Sequence, residues 1–495
     1  MKRTALIFLA PLVPFLGVGY SAPVNPQERQ DVPLSHAESM RFEELPPAES
    51  SLNLDSELLV KVPARPAAGF NYPYYLFVPK TVDQGDRSYL YVEPNNTGQT
   101  SDDQNIHDQS ARRLAEKSYA SWIARHLRAP LLVPVFPRPE RPYTHYLNRD
   151  TLLVPDGPLK RIDLQIGAMI DDAQRLLKNS GVLVNAKVFM HGFSSSSGFV
   201  LRYTILHPER VRAVAAGGVN ALPIFPVPEW KETPLRYALG IADLEQVAGI
   251  KFDKESYLKV AKYIYMGYLD HNDTTNSTDC WAPQDAETIR RVLGAKMIPD
   301  RWNTCREIFE SAGVPAQLVT YNGTGHTIKP EMEDDLVRFF DANRGIENAT
   351  IQPHEYPFVE YRENKTVHIT AIRWAGDAGI PEFARPMMAH GHFTLCIDEW
   401  IKDQDYAQLR EFRSKAGFQF VLKAEDGRVI TITPKNGIGS LSSGDGSFQG
   451  WVILLNEEQL AIMTPGSRWT VEPVGNDSGY EWKVAPGLAV VRPSK

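Results

Sequence analysis

Between residues 56 and 348, short apolar runs alternate with longer segments of helical period, and this alternation constrains the fold most strongly. The apolar run Tyr89–Val92, for example, precedes the helical segment Ala111–Leu127. Between residues 158 and 180, apolar side chains recur every three or four positions and form one continuous stripe along a helix. Strands that alternate with helices in this way form parallel sheets covered by crossover helices. We therefore predict an α/β domain over residues 56–348, with a mostly parallel sheet and helices on both faces.

The alternation stops after residue 348. Segments such as Thr366–Ile372, Trp451–Leu455 and Leu460–Met463 are short and rich in β-branched and aromatic residues, and turn clusters separate several of them. This pattern is typical of a mostly antiparallel β structure. We predict a smaller β-rich C-terminal module over residues 349–495.

The amino-terminal segment has the layout of a secretory signal. Lys2 and Arg3 precede the apolar run Ala5–Gly19, and small residues follow it. The run is shorter than the roughly 20 residues that a membrane-spanning helix needs, and two prolines interrupt it. We predict a removable signal over residues 1–22, a flexible leader over 23–55, and a secreted or periplasmic protein without a stable membrane span. An uncleaved membrane anchor is the alternative.

Charge and cysteine content narrow the set of partners. The net charge is −7 and no basic block interrupts the chain, so a nucleic-acid partner is not expected. The sequence has no C-x-x-C pair and its histidines lack ligand spacing, so we predict neither a metal site nor a cofactor. In an oxidising compartment, Cys280 and Cys305 are close enough in sequence to be candidates for a disulfide.

The segment Val188–Val200, VFMHGFSSSSGFV, reads as a strand, a sharp turn and a helix. This is the context of a G-x-S-x-G nucleophile elbow, where the residues two before and two after the serine must have small side chains. Gly192 and Ser196 meet that requirement for Ser194, which is the predicted nucleophile. Ser196 is the alternative nucleophile, and a serine-rich loop that only caps a helix is the interpretation without catalysis.

A serine hydroxyl needs a base that accepts its proton and an acid that orients the base. In enzymes with this turn the partners follow in the order serine, acid, histidine, on loops after later strands. The predicted strand Tyr263–Met266 is followed by Asp270, and the predicted strand Ala316–Tyr321 is followed by His326. We predict Asp270 as the acid and His326 as the base, with Asp273 as the alternative acid.

Acyl transfer also requires N–H groups that stabilise the developing oxyanion, usually one directly after the nucleophile and one after an earlier strand. The first is the backbone N–H of Ser195. The second is expected in the turn that follows Tyr89–Val92, where we predict Asn96, with Asn95 and Thr97 as the alternatives. A plain β-turn built from the same residues is the interpretation without a function.

Five stretches of the sequence together resemble the α/β-hydrolases, and within them secreted esterases and polyhydroxyalkanoate depolymerases. They are PNNTG at 94–98, HGFSSSSGFVLRYTILHPERV at 191–211, ALGIADL at 238–244, YMGYLDHND at 265–273 and YNGTGHTIKPEM at 321–332. The resemblance covers residues of about 55–345. It implies an acyl-enzyme mechanism with Ser194 as nucleophile, His326 as base and Asp270 as orienting acid. In one departure, Ser196 stands where the elbow usually has its second glycine.

These observations predict a secreted serine hydrolase that cleaves a carboxylic ester, either a small molecule or a polymer. A secreted serine peptidase or amidase is the first alternative, because the same fold supports both reactions. A non-catalytic binding protein on a hydrolase fold is the second alternative.

Overall fold

The protein, studied as a computed structural model, consists of two compact units, residues 40–358 and residues 366–493 of the described chain. The structure describes residues 40–46, 51–85, 88–95, 101–139, 142, 144–270, 272–276, 280–358, 366–374, 392–398, 419–432, 438–442, 449–474, 481–485 and 488–493. The predicted signal, residues 1–22, lies outside these ranges. Within them, no helix is both long enough and apolar enough to cross a membrane.

The first unit is built around a nine-stranded sheet with the strand order β1-β2-β3-β5-β4-β6-β7-β10-β11. Its strands, with the small β8–β9 hairpin, are β1 (Arg41–Glu44), β2 (Leu58–Val62), β3 (Tyr74–Val78), β4 (Leu90–Val92), β5 (Leu131–Pro134), β6 (Val188–Phe193), β7 (Val211–Gly217), β8 (Glu229–Trp230), β9 (Thr233–Pro234), β10 (Ala261–Gly267) and β11 (Gln317–Tyr321). Strand β3 is antiparallel to both of its neighbours, and the other neighbouring strands run parallel. The sheet is therefore mostly parallel, as predicted.

Helices cover both faces of this sheet. They are α1 (Gln104–Glu116), α2 (Tyr119–Leu127), α3 (Arg149–Leu152), α4 (Ile162–Asn179), α5 (Ser195–Leu206), α6 (Leu244–Ala248), α7 (Lys254–Leu258), α8 (Pro283–Thr288), α9 (Trp302–Ser311) and α10 (Pro330–Ala342). One apolar cluster includes Ile166 of α4, Phe199 of α5 and Ile308 of α9. The other includes Ile123 of α2 and Leu336 of α10. The predicted α/β-hydrolase class is therefore confirmed for this unit.

Two local expectations differ from the structure. The helical segment predicted over Ala111–Leu127 is divided between α1 and α2, because Ser118 caps α2. The Ser118 side chain accepts a hydrogen bond from the N–H of Ala120, and the Ser121 hydroxyl accepts one from the N–H of Ser118, which completes a capping box. The leader predicted over residues 23–55 contributes β1 to the sheet, parallel to β2, so that prediction is wrong for Arg41–Glu44.

The second unit is rich in β structure, as predicted. Its elements are β12 (Thr366–Trp374), β13 (His392–Asp398), β14 (Gln419–Ala424), β15 (Val429–Ile432), β16 (Ile438–Ser442), β17 (Gln449–Leu454), α11 (Glu457–Ile462), β18 (Arg468–Val474), β19 (Glu481–Val484) and β20 (Ala489–Val491). They form a five-stranded sheet, β16-β17-β13-β12-β19, and a four-stranded sheet, β15-β14-β18-β20. The strand predicted over Leu460–Met463 is wrong, because Asn456 and Gln459 form a capping box that starts helix α11.

Candidate active site

The predicted nucleophile, acid and base follow three strands whose carboxyl ends lie at one edge of the sheet. These strands are β6, β10 and β11, and β7 lies between β6 and β10. In the observed register Phe193 pairs with Gly217, Gly217 with Tyr265, and Gly267 with Tyr321. The loops that leave β6, β10 and β11 therefore start side by side.

Ser194 occupies a sharp, strained turn between β6 and α5. Its backbone has φ 58° and ψ −126°, a conformation that residues other than glycine seldom adopt. The turn is held by the Ser194 N–H, which donates to the carbonyl of Gly217 over 2.9 Å. Strain of this kind persists where the surrounding structure enforces it, and it concentrates at functional sites.

The neighbours of Ser194 explain why this sequence makes the turn. A Cβ added to Gly192 would lie 2.3 Å from the backbone oxygen of Ser196, so only glycine fits at this position. Ser196, the alternative nucleophile, is fully buried. Its hydroxyl donates to the carbonyl of Phe193 over 2.8 Å and accepts from the N–H of Phe193 over 2.9 Å. The Ser196 hydroxyl therefore ties the helix start back to the strand end.

His326 and Asp270 lie together beside this turn. Nδ1 of His326 is 2.8 Å from Oδ2 of Asp270, and the Asp270 side chain is fully buried. The ring of His326 packs on the ring of Phe193, with 4.9 Å between centroids. Gly218, with φ 58°, leaves room for the imidazole, because a Cβ there would be 2.8 Å from Cε1 of His326. The base and acid predicted from the sequence are thus adjacent to each other and to the residue that precedes Ser194.

Asp273, the alternative acid, faces a different partner. Its carboxylate forms an ion pair with the buried guanidinium of Arg301, 2.5 Å away, and accepts from both the N–H and the hydroxyl of Thr275. Burial raises the pKa of Asp273, but the charge and hydrogen bond of Arg301 and the hydrogen bonds of Thr275 together outweigh burial and hold this pKa below its ordinary value. Asp273 therefore fastens the loop after β10 to the start of α9.

Asn272 contacts the other nitrogen of the imidazole, and the sequence did not indicate this. Its Nδ2 lies 3.1 Å from Nε2 of His326. The backbone N–H of Asn272 donates to Oδ1 of Asp270 over 2.9 Å. In the sequence, the one signal that linked Asn272 to the site is its position two residues after the predicted acid.

The predicted oxyanion donors are described in part. Ser195, whose N–H is the first predicted donor, is the first residue of α5 and is buried, while Asn96 and the alternative Thr97 lie outside the described residues. The side chain of Asn95, the alternative residue, fastens the chain after β4: its Nδ2 donates to the carbonyl of Phe136 over 3.1 Å. Nε2 of His145 is bound to the same carbonyl, and burial lowers the pKa of His145 to about 3, so this imidazole is neutral.

A buried polar network lies in the strands that carry the site. The carboxylate of Glu93 accepts from the hydroxyls of Tyr91 over 2.7 Å and Tyr119 over 2.9 Å, and Nδ1 of His191 is 2.7 Å away. Nε2 of His191 is 3.0 Å from the hydroxyl of Tyr265. Burial and then the charge of Glu93 raise the pKa values of Tyr91 and Tyr119 well above the ordinary value, so both hydroxyls stay protonated and donate. This network joins β4, β6 and β10 and was not predicted.

The disulfide predicted between Cys280 and Cys305 is not formed, and that prediction is wrong for this structure. Both residues are buried thiols. Cys305, on the inner face of α9, donates its hydrogen to the carbonyl of Ala221 over 3.2 Å, and burial raises the pKa of its thiol. Polar contacts fasten the neighbouring loop instead, including the Asp273–Arg301 ion pair.

Metal-ligating side chains are not grouped in the part of the chain that the structure describes. No cluster of three or more histidine, cysteine, aspartate or glutamate side chains there has the arrangement of a metal site.

The sequence matches no protein-family model and no curated protein. The fold is similar to poly(aspartic acid) hydrolase-1 from Sphingomonas sp. KT-1, at 16% identity over 55% of this chain and 94% of that chain, with a TM-score of 0.38. It is also similar to the poly(3-hydroxybutyrate) depolymerase LpqC from Bordetella parapertussis, at 15% identity over 58% of this chain and 88% of that one, with a TM-score of 0.35. An S-formylglutathione hydrolase from Agrobacterium tumefaciens matches at 13% identity over 58% of this chain and 95% of that one, with a TM-score of 0.35. The strand order and the helices on both faces give the first unit, residues 40–358, the α/β-hydrolase fold.

Proposed function

We propose that the protein is a secreted serine hydrolase that cleaves a carboxylic ester through an acyl-enzyme intermediate. The observation that carries the proposal is the position of the Asp270–His326 pair beside the strained turn of Ser194. A hydroxyl on a sharp turn, an imidazole and a buried carboxylate are the groups that nucleophilic acyl transfer requires. Secretion rests on the signal-like sequence of residues 1–22.

Each group has a defined role in this mechanism. Oγ of Ser194 attacks the ester carbonyl carbon as Nε2 of His326 takes the hydroxyl proton. Asp270 keeps the hydrogen of the neutral ring on Nδ1 and stabilises the imidazolium that forms. The N–H of Ser195 at the start of α5, with a second donor from the turn that contains Asn96, stabilises the oxyanion.

The second half of the reaction uses the same groups in reverse order. The imidazolium of His326 gives its proton to the leaving alcohol, which departs and leaves the acyl group on Ser194. A water molecule then attacks the acyl carbon while His326 takes its proton, and the carboxylic acid is released. No step requires a group beyond those of the chain, the ester and water.

Replacing Ser194 with alanine tests the proposal on a short-chain chromogenic ester. Loss of the nucleophile should lower kcat by a factor on the order of 10⁶. Ser311→Ala, at the exposed end of α9, is the matched control and should keep the wild-type rate. Turnover by Ser194→Ala at the rate of the control would refute the proposal.

An amide of the same acyl group separates an esterase from the peptidase or amidase alternative. Because esters are intrinsically more reactive than amides, the proposal predicts turnover of the ester without measurable turnover of the amide. Turnover of the amide at a comparable kcat/KM would favour a peptidase or amidase with the same three residues.

A further inference from the structure

The imidazole nitrogen that would accept the serine proton already has a hydrogen-bond partner. Nδ1 of His326 is 2.8 Å from the buried carboxylate of Asp270, so Nδ1 carries the hydrogen and Nε2 of the neutral ring carries a lone pair. Nδ2 of Asn272 lies 3.1 Å from this Nε2. An amide nitrogen can only donate, so Asn272 donates into the lone pair that the mechanism assigns to Ser194.

The backbone of Asn272 fixes this contact. Its N–H donates to the second carboxylate oxygen of Asp270 over 2.9 Å, and its carbonyl accepts from the side-chain amide of Asn220. Asn272 is only 6% exposed. Asp270, His326 and Asn272 therefore form a closed ring of hydrogen bonds in which each residue orients the next.

We propose that Asn272 is a further catalytic residue, which occupies Nε2 of His326 in the resting enzyme and releases it when substrate enters. The proposal rests on the hydrolase function proposed above. Nε2 has one lone pair, so the hydroxyl of Ser194 can donate a hydrogen bond to it only when the amide of Asn272 turns away. The Ser194 proton then passes to Nε2 while Oγ bonds to the ester carbonyl carbon, and Asn272 keeps both of its amide protons. The released amide can donate to an oxygen of the bound ester.

The first test measures how reactive Ser194 is in the free enzyme. A net hydrogen bond changes an equilibrium by roughly two- to tenfold, so removal of the competing amide should increase the rate of labelling by a small fluorophosphonate by the same factor. Asn272→Leu removes the donor and keeps a side chain of similar size. Asn303→Leu, on the exposed side of α9, is the matched control and should label at the wild-type rate.

The second test needs the surroundings of His326. Among the described residues, Asp270 is the charged group that faces its ring from the loop after β10. Phe193 and Gly218 face the ring from the ends of β6 and β7. Lys329, on the loop of His326 itself, donates its amino group to a backbone carbonyl. A carboxylate introduced at Nε2 would therefore interact mainly with the imidazole of His326, which Asp270 already contacts at Nδ1.

Asn272→Asp places that carboxylate at Nε2 and favours the imidazolium, which cannot act as the base. The acidic limb of the kcat/KM profile should therefore move up by about one pH unit or more. Asn303→Asp introduces the same charge away from the site and should leave the limb in place. The shift is expected only if the side chain at position 272 lies at Nε2 of His326.

Melting temperatures check that the variants fold, and Asn272→Ser, whose side chain is too short to reach Nε2, replaces the leucine variant if that variant does not fold. With an active wild type, unchanged or slower labelling without the amide would overturn the proposal for Asn272. An unmoved acidic limb in Asn272→Asp would overturn it as well. A wild type that neither cleaves esters nor takes the label would overturn the hydrolase function itself, and this inference with it.

Discussion

Replacing Gly192 with alanine should damage both the turn of Ser194 and its activity. The new Cβ would lie 2.3 Å from the oxygen and 2.5 Å from the carbonyl carbon of Ser196, and 2.8 Å from the nitrogen of Ser197. These are backbone atoms and cannot rotate away, so the first turn of α5 must move by about 0.7 Å to restore even a 3.0 Å contact. Overpacking of this kind costs about 1–3 kcal/mol of unfolding free energy. A misplacement of nearly 1 Å at reacting groups costs about 10²-fold in rate.

The assay compares kcat/KM on a short-chain ester with stability in urea. Gly192→Ala should lose about 10²-fold in kcat/KM and about 1–3 kcal/mol of unfolding free energy. Gly167→Ala, in helix α4, is the matched control, because the nearest atom to its added Cβ is the Tyr203 hydroxyl at 3.7 Å. It should retain both activity and stability. Activity of Gly192→Ala within a few-fold of wild type would refute the reasoning about this turn.

Two further predictions concern buried carboxylates. Glu93→Ala leaves two tyrosine hydroxyls and His191 without their acceptor, and it should lower the unfolding free energy in urea by about 3–5 kcal/mol. The exposed Glu255→Ala should change this free energy by less than about 0.5 kcal/mol. Equal losses in the two variants would contradict the network. Burial raises the pKa of Asp163, but the hydrogen bonds and charges of Arg161 and a neighbouring histidine together outweigh burial and lower it to about 2. Because this folded-state pKa lies below the unfolded one, the stabilisation is present above about pH 4 and is lost as the pH falls through about 2. Asp163→Asn should therefore be about 2 kcal/mol less stable than wild type at pH 6, with a gap that closes towards pH 2, and a gap independent of pH would contradict this origin.

The main sheet and the order of the site residues follow from local sequence patterns. Strand periodicity locates β6, β10 and β11, and parallel strands end at a common edge, so the sequence alone assigns Ser194, Asp270 and His326 to neighbouring loops. The strained turn could be predicted because it leaves a local signature, small residues on both sides of one serine.

Contacts between distant segments could not be predicted in the same way. Glu93 and His191 are 98 positions apart, and each reads as an ordinary residue at or near the end of a strand. The direction of the Asn272 side chain depends on how its loop closes, which no local pattern encodes. The proximity of Cys280 and Cys305 in sequence carried no information on whether their sulfur atoms meet, since a disulfide requires specific Cβ geometry.

Short apolar runs are a second source of error. Leu460–Met463 is apolar throughout, but four residues cannot establish a period. The capping box of Asn456 and Gln459, which precedes this run, starts helix α11. The polar residues at the start of helix α11 were therefore a better guide to its secondary structure than the apolar residues within it.

The central claim is that Ser194 is the nucleophile of an acyl-transfer site, and mapping of a fluorophosphonate adduct by mass spectrometry tests it most directly. The wild-type protein should carry one adduct, on Ser194, and Ser194→Ala should carry none. Fragment ions distinguish Ser194 from Ser196, whose hydroxyl is buried and bonded at the base of the turn. An adduct on Ser196, or no adduct on a folded wild-type protein, would contradict the account.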